Sequence, residues 1–480
     1  MILQSIFITI LAFTCVAYVP PPYEYRVEYY RGMPVDHFAF SDDADKFDMR
    51  YLINDSFWDP KGGPIFFYCG NEGDIEMFAN NTGFMWDLAP DFKALVVFAE
   101  HRFYGLTQPY GNKSYEMPYL GKLSSEQALA DFAVFLTWLK ATTPGAENSP
   151  VIAFGGSYGG MLAAWMRIKY PHIIEGAIAS SAPILQFEGL TPCWTFAAIV
   201  TQSFRSAVPG CDRFVNQSWV AFRNKARTEA GREWLNQNFH LCDDSLIKNE
   251  DNVSLLINWI VDAWGSLAMI NYPYPTNFLE PVPAWPVKEA CKRIVATAEG
   301  ANDDDAVLLG VYKGVSVFHN SSGQRQCFSF TDHSSGGLGD DGWGFQACTE
   351  MTMPMCNNGS DMFEVQPWNF TAYAEACHAQ YGVRSRIDWI TVNYGGQNLK
   401  YSSNIVFSNG LLDPWYGGGV LKSISDSVVA ILIKDAAHHY DLRGKNPLDT
   451  NAVKEARQLE IGFIRKWVEK YRLSSNRTEK

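Results

Sequence analysis

Val151-Ile152-Ala153-Phe154-Gly155-Gly156-Ser157-Tyr158-Gly159-Gly160-Met161-Leu162 is the stretch that decides the fold. Val151 to Phe154 is a short apolar run between Pro150 and Gly155, the signature of a buried strand. Met161 to Lys169 is apolar at helical spacing. Between them stands G-x-S-x-G in the context its chemistry requires, strand then sharp turn then helix. Such a turn lifts the Ser157 hydroxyl above the sheet, and only glycine avoids collisions at the flanking positions. The Tyr158 backbone N–H, at the helix start, then points where an oxyanion forms. Ser157 is the candidate nucleophile; the competing reading is a structural Gly-Ser turn.

Outward from this turn, Ile65 to Cys69 and Ala94 to Ala99 read as further buried strands, and Ser124 to Leu139 as a helix with a serine start. Continuous apolar strands alternating with helices imply an α/β fold with a parallel sheet covered on both faces. From about residue 186 to 390 the text becomes cysteine-bearing, Trp-rich and helical where periodic, which reads as an inserted domain. The sheet pattern returns at Asn404 to Phe407 and Val428 to Ile433, and a helix from about Ala452 to Tyr471 closes the chain. The sheet domain is thus expected over 31–185 and 391–480.

A serine hydroxyl needs a base, and in this context the order is Ser, then acid, then His. Asp413 follows the strand at 404–407, and Asp435-Ala436-Ala437-His438-His439 follows the strand at 428–433. Both loops lie on the carboxyl side of strands, where α/β sheets place their sites. His438 is the expected base and Asp413 its orienting carboxylate, with His439 as rival base. Gly70-Asn71-Glu72-Gly73 follows another strand, and the Asn71 backbone is the expected second oxyanion donor. His439 and Arg443 flank His438 and are the nearest cations the sequence offers for substrate binding; the histidine would add charge below about pH 6.5. Trp343 and Trp415 join them as candidate substrate contacts. The acids at 43, 45 and 303–305 read as solvated loop charge, so no metal and no cofactor is expected.

The 480 residues are 47% hydrophobic and 19% charged, with a net charge of −13. That composition excludes disordered, collagenous and coiled-coil chains, and the acidity argues against nucleic acid as a partner. Residues 1–17 read as a signal peptide cleaved near Ala17, and no later segment is apolar enough to span a bilayer. Asn-x-Ser/Thr occurs at Asn54, Asn80, Asn112, Asn216, Asn252, Asn320, Asn358, Asn369 and Asn476, which fits passage through the secretory pathway. Of ten cysteines, Cys15 lies in the signal and Cys69 stands apart. The other eight fall in the central stretch and allow on the order of 100 pairings.

Phe67 to Asp74, Phe98-Ala99-Glu100-His101-Arg102-Phe103-Tyr104-Gly105, Glu126 to Phe132 and Gly155 to Leu162 resemble the lysosomal Pro-X carboxypeptidase and dipeptidyl peptidase II family of serine peptidases. So do Gln346 to Glu350, Asn409-Gly410 with Asp413-Pro414-Trp415, and His438-His439 with Asp441-Leu442-Arg443. The resemblance runs from about residue 30 to the end. It implies an α/β-hydrolase core with a helical, disulfide-bearing cap, and it puts a triad on Ser157, Asp413 and His438. It also implies bridges Cys193–Cys356, Cys211–Cys291, Cys242–Cys327 and Cys348–Cys377, a free Cys69, and a pro-segment over 18–30. One activity of that family removes a C-terminal residue after proline; the other removes N-terminal dipeptides. Asn80 to Asp87 and Thr143 to Asn148 look more like the carboxypeptidase branch. Asp340 and Asp341, just before Gly342-Trp343, depart from that branch, which is uncharged there, and a carboxylate there could hold a peptide amine. The expected substrate is a peptide with proline beside the scissile bond, met in the lysosome or outside the cell, with a homodimer left open. The rival readings are the aminodipeptidase, a lipase or esterase, and a catalytically silent α/β-hydrolase, whose broken triad is not seen here.

Overall fold

The computed structural model describes residues 22–40, 45–300, 303–330 and 338–478, with only the backbone for 475–478. The signal stretch 1–17 lies outside the described residues. One sheet of eight strands organises the chain: β1 (Arg26–Pro34), β2 (Lys46–Asn54), β3 (Ile65–Cys69), β4 (Leu95–Ala99), β5 (Val151–Gly156), β6 (Ile174–Ser180), β7 (Ile405–Gly410) and β8 (Val428–Ile433). Their order is β1-β2-β4-β3-β5-β6-β7-β8. From β4 across to β8 all neighbours are parallel. The expectation of a parallel sheet needs one correction. β1 and β2 run antiparallel at one edge. β1 is mostly exposed, so it lacks the continuous apolar run that marks a buried parallel strand. β6 also escapes periodicity, because Glu175 and Gly176 interrupt it; a Cβ on Gly176 would collide with the Trp467 ring.

The core helices are α1 (Ile75–Asn81), α2 (Gly83–Phe92), α3 (Ser125–Thr142) and α4 (Tyr158–Lys169). Between β6 and β7 come α5 (Thr195–Ala207), α6 (Cys211–Ala226), α7 (Glu229–Asn238), α8 (Val253–Met269), α9 (Pro286–Ala298), α10 (Asp304–His319), α11 (Trp343–Thr349), α12 (Phe370–Tyr381) and α13 (Trp389–Tyr394). The closing helix is α14 (Asn451–Thr478). This strand order with a helical insertion after β6 is an α/β-hydrolase core carrying a helical cap. One apolar cluster joins Phe66, Tyr68 and Phe154 on a sheet face to Trp219 and Trp264 of the cap, so the two parts share a core. Four bridges tie the insertion: Cys193–Cys356, Cys211–Cys291, Cys242–Cys327 and Cys348–Cys377. Cys69 is a buried free thiol. Residues 26–30, within the implied pro-segment, form the first half of β1 and pair with β2.

The Glu100-His101-Arg102 and Asp131 motifs turn out to brace the core. Arg102 is fully buried. It meets Asp131 through Nε (2.7 Å) and Nη2 (2.6 Å) and donates to the Pro34 and Val35 carbonyls at the end of β1. His37 Nε2 approaches the same carboxylate at 2.7 Å. Removing one partner strands a buried charge. Asp131→Asn is therefore expected to destabilise the protein by about 3–5 kcal/mol. Denaturant unfolding checks this; a loss below about 1 kcal/mol would mean that the pair is not braced as described.

Candidate active site

Ser157 sits in the left-handed region, φ +57°, between the last residue of β5 and the first of α4. A non-glycine residue there costs about 1–3 kcal/mol and persists only where its surroundings over-determine it. Its N–H donates to Ser180 O of β6 (3.0 Å), and its carbonyl accepts from Met161 N (3.0 Å). The glycine at 159 is a steric necessity. A Cβ there would overlap Asn71 Oδ1 and come to 2.7 Å of Cys69 O.

Sheet register brings the other loops to the same edge, with Gly156 opposite Ser180 and Ser180 opposite Ser408. Asp413, fully buried, caps the turn Pro414–Gly418 by accepting from Trp415 N through Oδ1 (3.0 Å). Its Oδ2 meets His438 Nδ1 at 2.8 Å. That contact assigns the proton to Nδ1 and leaves Nε2 as the acceptor a base needs. The base loop is held from two sides. From α14, Arg457 donates to the carbonyls of Tyr440, Asp441 and Arg443. From the cap, Met269 O accepts from His438 N (3.0 Å), and Tyr272 Oη donates to His438 O (2.8 Å). Asp441 accepts from the hydroxyls of Ser180 (2.6 Å) and Ser408 (2.7 Å), locking this loop to β6 and β7.

Ser157 and His438 line one cavity of ≈ 170 Å³. Among the described residues no hydrogen bond fixes Ser157 Oγ; such bonds often tighten only around substrate. Asn71 and Tyr158 line the same cavity. The Asn71 side chain donates to Gly156 O (2.7 Å) and accepts from Tyr68 Oη (2.8 Å), which ties the Asn71 loop to the turn. Tyr158 is pinned through its hydroxyl, which bonds His101 Nε2 and accepts from Gln346 Nε2, both at 3.0 Å.

The candidate substrate contacts divide. Trp343 and Trp415 line the cavity, Trp343 against the Tyr158 ring and Trp415 against Phe196. His439 lines it too, but edge-on to Phe278, and burial, reinforced by His438, pushes its pKa well below the ordinary value. The extra cationic charge expected of it in mild acid does not arise. Arg443 is not among the lining residues; its guanidinium lies 4.4 Å over the Tyr272 ring and donates to Thr276 Oγ1. Asp340 lines the cavity and Asp341 is exposed outside it.

The sequence reading passed over Met269, Tyr272 and Arg457, which no motif marks, and Glu72, which sat unread inside a quoted motif. Among the described residues no group of three or more His, Cys, Asp and Glu could hold a metal ion. Asn112, Asn216, Asn358 and Asn369 are exposed, and Asn54, Asn80, Asn252 and Asn320 half-buried. The Asn476 side chain lies outside the described residues.

Because Gly159 must accommodate Asn71, Gly159→Ala is expected to displace the oxyanion loop. Loss of one such donor costs about 10²–10³ in kcat. Steady-state kinetics beside thermal unfolding check it. An unchanged kcat in a folded variant would remove Asn71 from this role.

The model of the family described as Serine carboxypeptidase S28 matches residues 33–460. The chain is 49% identical over 447 residues to the Homo sapiens lysosomal Pro-X carboxypeptidase, covering 92% of this chain and 88% of that one. It is 45% identical over 468 residues to the Caenorhabditis elegans prolyl carboxy peptidase like protein 5, covering 93% and 90%. With the Homo sapiens thymus-specific serine protease it shares 29% identity over 456 residues, covering 90% and 85%. A match of that extent, over a chain with this fold, makes the protein a member of the serine carboxypeptidase S28 family.

Proposed function

We propose that this serine peptidase is an exopeptidase of the lysosome or the extracellular space that cleaves after proline and frees the C-terminal residue. The names of the mammalian relatives support the substrate class and the lysosome. No helix among the described residues is long and apolar enough to cross a membrane. The observation that carries the chemistry is that Ser157, Asn71, Tyr158 and His438, the last paired with Asp413, share one cavity. Phe78, Phe278 and Met269 give that cavity an apolar wall suited to a proline ring.

In this reading His438 Nε2 takes the Ser157 proton as Oγ attacks the carbonyl carbon after proline. The negative charge moves to the carbonyl oxygen, facing the N–H groups of Tyr158 and Asn71. Collapse breaks the C–N bond, and the imidazolium gives its proton to the departing amine. Water then attacks the acyl-enzyme with the same base. Asp413 fixes the tautomer and offsets the imidazolium charge throughout.

Ser157→Ala and His438→Ala are each expected to lower turnover on the order of 10⁶-fold, and His439→Ala clearly less. A phosphonylating reagent should label Ser157. Equal damage at His439 and no label at Ser157 would overturn the assignment. A peptide ending in Pro-Phe should release phenylalanine whether or not its amino terminus is acetylated. Release of an N-terminal dipeptide, blocked by acetylation, would replace this reading with the aminodipeptidase.

A further inference from the structure

The cavity holds a carboxyl group that the mechanism does not use. Glu72 follows the oxyanion residue Asn71 and lines the cavity, yet its Oε2 is shut from solvent with no hydrogen-bond partner. A buried polar atom without a partner calls for an explanation, and here the cavity is the open direction. The place is built. Asp74 N donates to Leu338 O (2.9 Å), joining the Glu72 loop to the cap loop that leads to Asp340. Gly73 allows that approach, since a Cβ would meet Leu338 Cγ at 2.8 Å.

Glu72 and His438 line the same cavity. His438 must hand its proton to the departing nitrogen, so the released residue lies against His438. Glu72 lines the same cavity as His438 and adjoins the oxyanion residue, so it borders the space open to that released residue. A carboxypeptidase must accept a carboxylate there. Yet among the described residues no Lys or Arg lines the cavity, and His439 is held neutral.

Resting on the carboxypeptidase reading, we infer that Glu72 is the specificity-determining residue for the substrate's free carboxylate: its protonated carboxyl donates a hydrogen bond to that group, and its ionised form repels it. The charged and titratable groups around it agree. Asp340 faces it from the cap loop and His438 from the β8 side; Tyr68, Tyr104 and Tyr158 face it from β3, the β4 loop and α4. Burial raises the pKa of all three tyrosines, so they stay neutral. Burial also pushes Glu72 up to about 7, opposed by hydrogen bonding from its own backbone and the Asn71 side chain and by His438, with Asp340 adding to the rise. The carboxyl is thus a donor below about pH 7 and an anion above it.

The test compares two N-acetylated peptides ending in Pro-Phe, one with a free carboxylate and one amidated. The readout is the ratio of their kcat/KM values from about pH 5 to about pH 8.5, in which the ionisation of His438 cancels. For the wild type the ratio should fall about tenfold per pH unit above 7. Glu72→Gln keeps a donor and cannot ionise, so its ratio should be flat and, at the alkaline end, about tenfold or more above the wild type. Glu72→Ala should be low at every pH, with Ser157 phosphonylation reporting that each variant is folded. A flat wild-type ratio, or a fall that survives in Glu72→Gln, overturns the role of Glu72. Because the first of these needs no variant, misfolding cannot mask the answer. Phenylalanine released with a flat ratio removes only Glu72; a dipeptide released from the unacetylated peptide in place of phenylalanine removes the carboxypeptidase reading with it.

Discussion

The left-handed backbone at Ser157 is the constraint on which the site depends. An L-residue holds φ +57° only if its neighbours leave no other choice. Here the choice is removed by Ser180 O on one side, by the first turn of α4 on the other, and by the Asn71 amide clamping Gly156 O. The same geometry that strains the residue puts its hydroxyl and the Tyr158 N–H on the cavity. Strain, exposed hydroxyl and oxyanion donor are three consequences of one turn, and the glycines around it are what make the turn sterically possible.

The base reaches this turn from the far end of the chain, and its position is a joint product of core and cap. Arg457 fixes three carbonyls of its loop, and Asp441 ties that loop to β6 and β7. The His438 backbone itself is bonded at both N and O to the end of α8 and the segment after it. An imidazole displaced by an ångström serves poorly as a base. The cap is therefore more than a lid over the cavity, because it supplies both backbone hydrogen bonds of the base residue. The shared apolar core and four disulfides make that docking a property of the folded chain.

The polar character of the cavity is unusual for a site that takes an anionic peptide end. Among the described residues its ionisable lining consists of Glu72, Asp340, Tyr158 and the two histidines, and the rest of that wall is largely apolar. The cation placed nearest by sequence, Arg443, is drawn off onto tyrosine rings. On our inference, recognition of charge in such a site comes from a neutral donor, whose strength is greatest where water is excluded.

Much of the candidate site was legible in the sequence because it is local. G-x-S-x-G between an apolar run and a helical period is a complete statement of strand, turn and helix, and the buried strands β3, β4, β5, β7 and β8 announce themselves by composition. β1 and β2 did not, since their burial comes from pairing and from α3 rather than from their own pattern. Asp413 and His438 could be nominated from their places after strands, but the sequence could not separate His438 from His439. Only the fold turns one ring onto Asp413 and packs the other against Phe278. Arg443 and Glu72 show the same limit from opposite directions. One is a cation adjacent in sequence to the base and absent from the cavity; the other is a carboxyl distant in sequence and present in it. Sequence fixes which residue types are available and where the backbone turns. Which side chains meet, and which charges survive burial, depends on distances that exist only once the loops of β3, β5, β7 and β8 and the end of α8 converge.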